Sequence, residues 1–240
     1  MYKVIKFLKY FFPLALILFV FGYGILCNFG FSGIYNNEKH IEGQTKVACV
    51  GDSITYGHGI WDWETNHYPK QLGNILGDGY CVHNYGVSGS CAQDDSDKPY
   101  QEQKAYNESI AFDADILVFM LGSNDTKPEN WKGIDEFKKD YLALLDTYLE
   151  DNKDLKIYLC TLSKAFYANE GDELANFDID PKIVDEISNC IKEIAAERGY
   201  ELIDINFATS NHQEWYKDGI HPNKDGAKFI AETIAEKIKK

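Results

Sequence analysis

The chain has 240 residues, 45% hydrophobic and 26% charged, with a formal net charge of -14. About 200 residues follow the apolar N-terminal stretch, enough for one domain with a sizeable core. Residues 1–40 carry Lys3, Lys6, Lys9 and Lys39 against Glu38, a sum of +3, so the remaining 200 residues carry -17; that charge keeps a domain soluble and excludes a nucleic-acid partner held by backbone electrostatics.

The N-terminus opens with three lysines in "MYKVIKFLKY", followed by "FFPLALILFVFGYGILC" with no charged residue from Tyr10 to Asn37. The apolar run Phe11–Cys27 is about long enough to span a bilayer when flanking aromatics help. Lysines ahead of it and none soon after predict the N-terminus inside and the domain outside. We read residues 1–27 as an uncleaved signal anchor, 28–45 as a polar tether and 46–240 as the folded domain. Secretion after signal cleavage and lipoprotein processing at Cys27 are the competing readings. No A-x-A-type cleavage site is evident, and Leu26 stands where a lipobox needs a small residue.

Beyond the tether, strand and helix patterns alternate. "KVACVG" predicts a first strand, "YPKQLGNIL" a short helix and "YCVHNYG" a second strand. "DILVFMLG" is apolar throughout, as a strand covered on both faces should be. "IDEFKKDYLALLDTYLED" has apolar residues at helical spacing, "LKIYLCTL" reads as a fourth strand, and "PKIVDEISNCIKEIAAERG" has Pro181 at a helix start and Gly199 just past its end. "YELIDIN" predicts a fifth strand. "NKDGAKFIAETIAEKIKK" closes the chain as an amphipathic helix with Ala227, Ile230, Ala231, Ile234 and Ile238 on one side. This alternation implies an α/β fold with a parallel sheet covered on both faces, whose ligand site lies beyond the carboxyl ends of its strands.

Cys49, Cys81 and Cys160 fall in predicted strands, where free cysteine behaves as a small hydrophobe. No Cys/His spacing suggests a metal site. In an exported domain Cys81 and Cys91 form a candidate disulfide pair.

Three polar loops follow predicted strands: "GDS" with Ser53, "NYGVSG" with Gly89 and "GSND" with Asn124. Ser53 needs a base to act as a nucleophile. Among six histidines, His221 in "KDGIHP" has Asp218 three residues before it, a carboxylate able to hold one ring nitrogen while the other faces a serine. Pro222 keeps His221 out of helical geometry. His58 has no such partner, His83 reads as a satisfied core residue, and His40, His67 and His212 read as surface or loop residues. Donors for an oxyanion are the backbone N–H groups of Ser53 and Gly89 and the side chain of Asn124. Each feature also has a plain structural reading: Ser53 as a helix cap, Asn124-Asp125 and Asp218-Gly219 as turns, Gly86 and Gly89 as loop glycines.

"GDSIT", "NYGVSG", "GSND" and "DGIHP" stand in one order across residues 51–222. In this the chain resembles the SGNH hydrolases, the GDSL-type lipase/acylhydrolase superfamily. The resemblance implies a flavodoxin-like three-layer α/β/α sandwich with a five-stranded, mainly parallel sheet. It implies a Ser53–His221–Asp218 triad, an oxyanion hole of Ser53, Gly89 and Asn124, and no metal or organic cofactor. Tyr56, Trp61, Trp63 and Tyr68 are candidate substrate-binding aromatics, or else they fold their loop onto the sheet, and the long loop 163–178 is a second candidate wall. The expected activity is cleavage of an ester, a short acyl group on a cell-surface or extracellular carbohydrate, with the rate rising as His221 loses its proton. O-acyl transfer to a glycan and glycan binding by an idle triad are the alternatives.

Overall fold

A computed structural model describes residues 37–240. Residues 1–36, which carry the apolar segment and the first half of the tether, lie outside the described residues. Among the described residues no helix is long and apolar enough to cross a membrane.

Five strands form one sheet: β1 (Thr45–Gly51), β2 (Tyr80–Gly86), β3 (Ile116–Met120), β4 (Lys156–Cys160) and β5 (Glu201–Ile203). Their order is β2-β1-β3-β4-β5 and every pairing is parallel, the flavodoxin-like order. Among the described residues the helices are α1 (Ser53–Tyr56), α2 (Trp63–Asn66), α3 (Tyr68–Leu76), α4 (Lys104–Ala111), α5 (Ile134–Asp151), α6 (Pro181–Arg198), α7 (Ile205–Thr209) and α8 (Lys224–Ile238).

The apolar strands are apolar because both faces are covered. Val47, Cys49, Val118, Met120, Tyr158 and Cys160 pack with Leu72 and Leu76 of α3 and Ile230 and Ile234 of α8. The intervening residues Ala48, Val50, Leu117, Phe119, Ile157 and Leu159 pack with Phe137, Tyr141 and Leu144 of α5 and Ile187 and Ile191 of α6. The period-two alternation thus divides each strand between two helical layers, giving the three-layer sandwich.

Local chemistry fixes the helix ends. The Asp180 carboxylate accepts from Lys182 N, Pro181 opens α6, and Gly199 closes it with φ 70°. Asn223, two residues after His221, caps α8, its side chain accepting from Asp225 N at 2.9 Å and Gly226 N at 3.0 Å.

Three helices escaped the sequence reading. α4 buries only Ala105 and Ser109, a stripe too thin to register as amphipathic. α2 and α7 are single turns. The predicted fifth strand is shorter than expected: Asp204 caps α7 by accepting from Phe207 N at 3.2 Å, which ends β5 at Ile203. The proposed Cys81–Cys91 pair is not formed, and all five described cysteines are free. Cys81 is the second residue of β2 whereas Cys91 lies beyond its other end, so the strand alone separates them by roughly 16 Å at 3.3 Å per residue.

Residues 37–44, assigned to the tether, lie along the outer edge of β2. Asn37 exchanges two hydrogen bonds with the Asn84 backbone, and His83 Nε2 lies 2.8 Å from the Glu38 carbonyl.

Close approach between β2 and α1 demands a glycine. A Cβ on Gly86 would sit 2.2 Å from Tyr56 N and 2.6 Å from the Thr55 carbonyl carbon, both backbone atoms. Gly86→Ala should therefore destabilise the fold by about 3 kcal/mol; a melting temperature within 1–2 °C of wild type, on the order of normal scatter for surface changes, would contradict that packing.

Candidate active site

The loops after β1, β2 and β3 and the segment before α8 meet at the carboxyl edge of the sheet. Asp52, not Ser53, caps the short helix α1, its Oδ1 accepting from Ile54 N at 2.9 Å. The Ser53 hydroxyl is thereby left for other use, and its Oγ stands 2.9 Å from His221 Nε2. The other ring nitrogen, Nδ1, lies 2.7 Å from Asp218 Oδ2. Asp218 Oδ1 accepts from His221 N at 2.8 Å and Ile220 N at 2.9 Å, so the turn itself pins the carboxylate. Burial opposes ionisation of Asp218, but the bonds from the His221 ring and from these two amides outweigh it and hold the carboxyl at about 2.

Gly89 has φ 82°, a conformation that favours glycine. The turn is set by Ser90 N donating to Val87 O at 3.1 Å and by Lys98 Nζ donating to Ser88 O at 2.8 Å. Among the described residues neither Ser53 N–H nor Gly89 N–H has a hydrogen-bond partner. Asn124 Nδ2 donates one proton to Ser90 O at 3.1 Å and retains a second. Behind it, Asn130 Nδ2 donates to Asn124 O at 3.0 Å. The fully buried Asp125 accepts from Ala92 N at 3.0 Å and Gln93 N at 2.8 Å, tying the Asn124 turn to the loop after Gly89. Burial pushes the Asp125 carboxyl up to about 7, with these amides pulling the other way.

A cavity of about 130 Å³ joins these groups. Its polar wall includes Ser53, His58, Gly89, Asn124, Lys127 and His221, and its apolar wall is Phe177, Ile179 and Ile220. His58 is brought in by the fold: its ring lies 4.4 Å from the His221 ring. Burial, and then the nearby His221, push His58 down to about 4.

The structure gathers Ser53, Gly89, Asn124, Asp218 and His221 but not the predicted aromatics. Tyr56, Trp63 and Tyr68 are buried in the core on the α3 side of the sheet. Tyr56 and Trp63 stack at 5.0 Å, and Tyr68 Oη lies 3.1 Å from Thr55 Oγ1. The signal was available, since Tyr68, Leu72 and Leu76 recur every four residues and mark a core face. Trp61 is exposed and does not line the cavity. His67, read as surface or loop, is buried; its Nδ1 accepts from Lys70 N at 3.1 Å at the start of α3. The long loop after β4 does reach the cavity, through Phe177. Among the described residues no group of three or more His, Cys, Asp or Glu side chains is placed to hold a metal ion.

Fold and site together define an α/β protein with a serine, histidine and carboxylate in hydrogen-bonded series beside unpaired N–H donors. Residues 49–229 match the family model of the GDSL-like Lipase/Acylhydrolase family, and the chain belongs to that family. It is 37% identical over 217 residues to an acetylxylan esterase of Xylanibacter ruminicola, covering 82% of this chain and 44% of that relative. The chain thus spans less than half the length of that relative. Among solved structures it resembles Est24, a carbohydrate acetylesterase from Sinorhizobium meliloti, with a TM-score of 0.65 and 20% identity over 82% of this chain and 99% of that one. It also resembles the lipase/acylhydrolase from Enterococcus faecalis, with a TM-score of 0.62 and 19% identity over 82% and 96%. These two likenesses concern the fold.

Proposed function

We propose that the protein is a serine esterase that removes short acyl groups, acetyl above all, from a carbohydrate. The carrying observation is the series Ser53 Oγ–His221 Nε2–Asp218 Oδ2, at 2.9 and 2.7 Å, opening on a 130 Å³ cavity with unpaired N–H donors. Such a cavity lies well below the roughly 300 Å³ lower range of ordinary ligand pockets, which favours a small acyl group. The acetylxylan esterase relative supports a carbohydrate ester.

In this reading Ser53 Oγ attacks the ester carbonyl carbon as its proton passes to His221 Nε2. Asp218 holds Nδ1–H and balances the imidazolium charge. The carbonyl oxygen becomes an oxyanion facing Ser53 N–H, Gly89 N–H and the second Nδ2 proton of Asn124. His221 then gives its proton to the departing sugar oxygen, leaving an acyl group on Ser53. Water, deprotonated by His221, attacks that acyl group, and the proton returns to Ser53 Oγ as the carboxylic acid leaves. The lysine-led apolar segment 11–27 supports a domain held outside the cytoplasm at a membrane, where polysaccharide esters are met.

Acetate release from acetylated xylan, acetylated peptidoglycan and p-nitrophenyl esters of graded length tests the assignment. Preference for acetate and for a glycan ester is expected; a preference for long chains would overturn the short-acyl reading. Asn124→Ala should lower kcat by about 10²–10³-fold with little change in KM. A raised KM at unchanged kcat would remove Asn124 from the oxyanion role.

A further inference from the structure

We propose that Phe177 sets the length of acyl chain the site accepts; the inference rests on the esterase reading and assigns one wall of that same cavity. Phe177 and Asp178 have φ values of 62° and 59°, two successive non-glycine residues in the left-handed region. Such a conformation is unfavourable for residues with a side chain and persists only where neighbouring structure enforces it.

Here the enforcement is visible on both sides. Asn176 Nδ2 donates to the Asp218 carbonyl at 2.8 Å, and Ala175 N donates to Ile179 O at 2.8 Å. Asp180 N donates to Thr126 Oγ1 at 3.1 Å. The strained turn is therefore tied at one end to the segment carrying Asp218 and His221. At the other it is tied to the turn carrying Asn124.

The product of this strain is a large apolar ring that adds little to the core. Phe177 is 51% exposed. Its ring meets the His221 ring edge-on, with centroids 5.1 Å apart, and the His58 ring at 6.2 Å. Of the residues lining the cavity, Phe177, Ile179 and Ile220 alone have large apolar side chains. With the carbonyl oxygen directed at the N–H donors, the alkyl part of an acyl group finds apolar surface on that wall and nowhere else in the cavity. Ile179 and Ile220 are buried and fixed from behind. Phe177 forms the outer end, so its bulk decides how many carbons fit before the chain meets the ring.

The test compares the full chain with Phe177→Ala, Phe177→Leu and Phe177→Trp, using p-nitrophenyl acetate, butyrate and hexanoate, and 4-methylumbelliferyl acetate to vary the alcohol. The butyrate-to-acetate ratio of kcat/KM should rise about tenfold in Phe177→Ala, the scale of discrimination by one or two methylenes. It should rise less in Phe177→Leu and fall in Phe177→Trp. Unchanged ratios in folded variants would overturn the proposal, as would changes that follow the alcohol instead of the acyl chain. Ser53→Ala in the same assays separates the two claims. Loss of activity in Ser53→Ala with unchanged Phe177 ratios refutes the gating role alone, whereas activity surviving in Ser53→Ala refutes the esterase reading beneath it.

Discussion

Ser53→Ala should lower kcat/KM for ester hydrolysis by at least about 10⁴-fold while the protein remains folded. Only one oxygen is removed, from a residue whose backbone is already fixed by the Asp52 cap and by Gly57 N and His58 N donating to Ser53 O, each at 2.9 Å. The donors for the carbonyl oxygen persist, so a small residual rate over water should survive. His221→Ala should cause a loss of similar size, and the double variant should be scarcely worse than either single one. Groups that act as one unit are not additive. Initial rates on p-nitrophenyl acetate, with circular dichroism as the folding control, check this. Summed losses in the double variant would mean that the two side chains work separately.

Asp218→Asn should lower kcat by about 10⁴-fold, more than its modest structural effect suggests. The carboxylate now accepts Nδ1–H, leaving Nε2 free to accept the Ser53 proton. An amide nitrogen in place of Oδ2 would donate to Nδ1 and force the proton onto Nε2, the wrong tautomer for a base. Stability should change little by comparison. The native Asp218 carboxyl titrates at about 2, below the ordinary aspartate range. Its contribution is therefore present above the ordinary aspartate value and is lost as pH falls through about 2. With its side chain 32% exposed, that contribution is on the order of 1–2 kcal/mol. Thermal melts at pH 7 should show a small decrease that shrinks in acid, beside a very large kinetic loss at neutral pH. A kinetic loss no larger than tenfold would remove Asp218 from its orienting role.

Much of the fold was legible because strand burial and helix capping leave local marks. The doubly covered strands read as apolar runs, and Pro181 and Gly199 bracket α6 as they bracket its sequence pattern. The grouping of Ser53, Gly89 and Asn124 followed from a rule about where loops of parallel sheets meet, and His221 from the aspartate three residues before it. What was illegible depends on contacts between distant segments. Asp125 reads as a turn residue beside Asn124, yet it is a buried carboxylate gripping two amides of the preceding loop. Phe177 stands six residues past the one glycine of its loop, Gly171, so no glycine announces its own left-handed turn; bonds to Asp218 and Thr126 impose it. His58 has no carboxylate partner in sequence, and only the folding of its loop brings it against His221. Of the aromatics after Ser53, proximity in the chain left substrate binding and loop packing both open; Tyr56, Trp63 and Tyr68 belong to the core, and Trp61 is exposed away from the cavity.

The serine hydroxyl and the imidazole that meets it are 168 residues apart. The imidazole comes three residues before the first residue of α8, which latches onto α3 through Gln71 Nε2 on Lys224 O and Lys239 Nζ on Ile75 O. A growing polypeptide therefore carries an inert hydroxyl until 168 further residues have been added, and the proton acceptor arrives just ahead of α8. Chemical competence in this architecture is coupled to closure of the sandwich by α8 against α3.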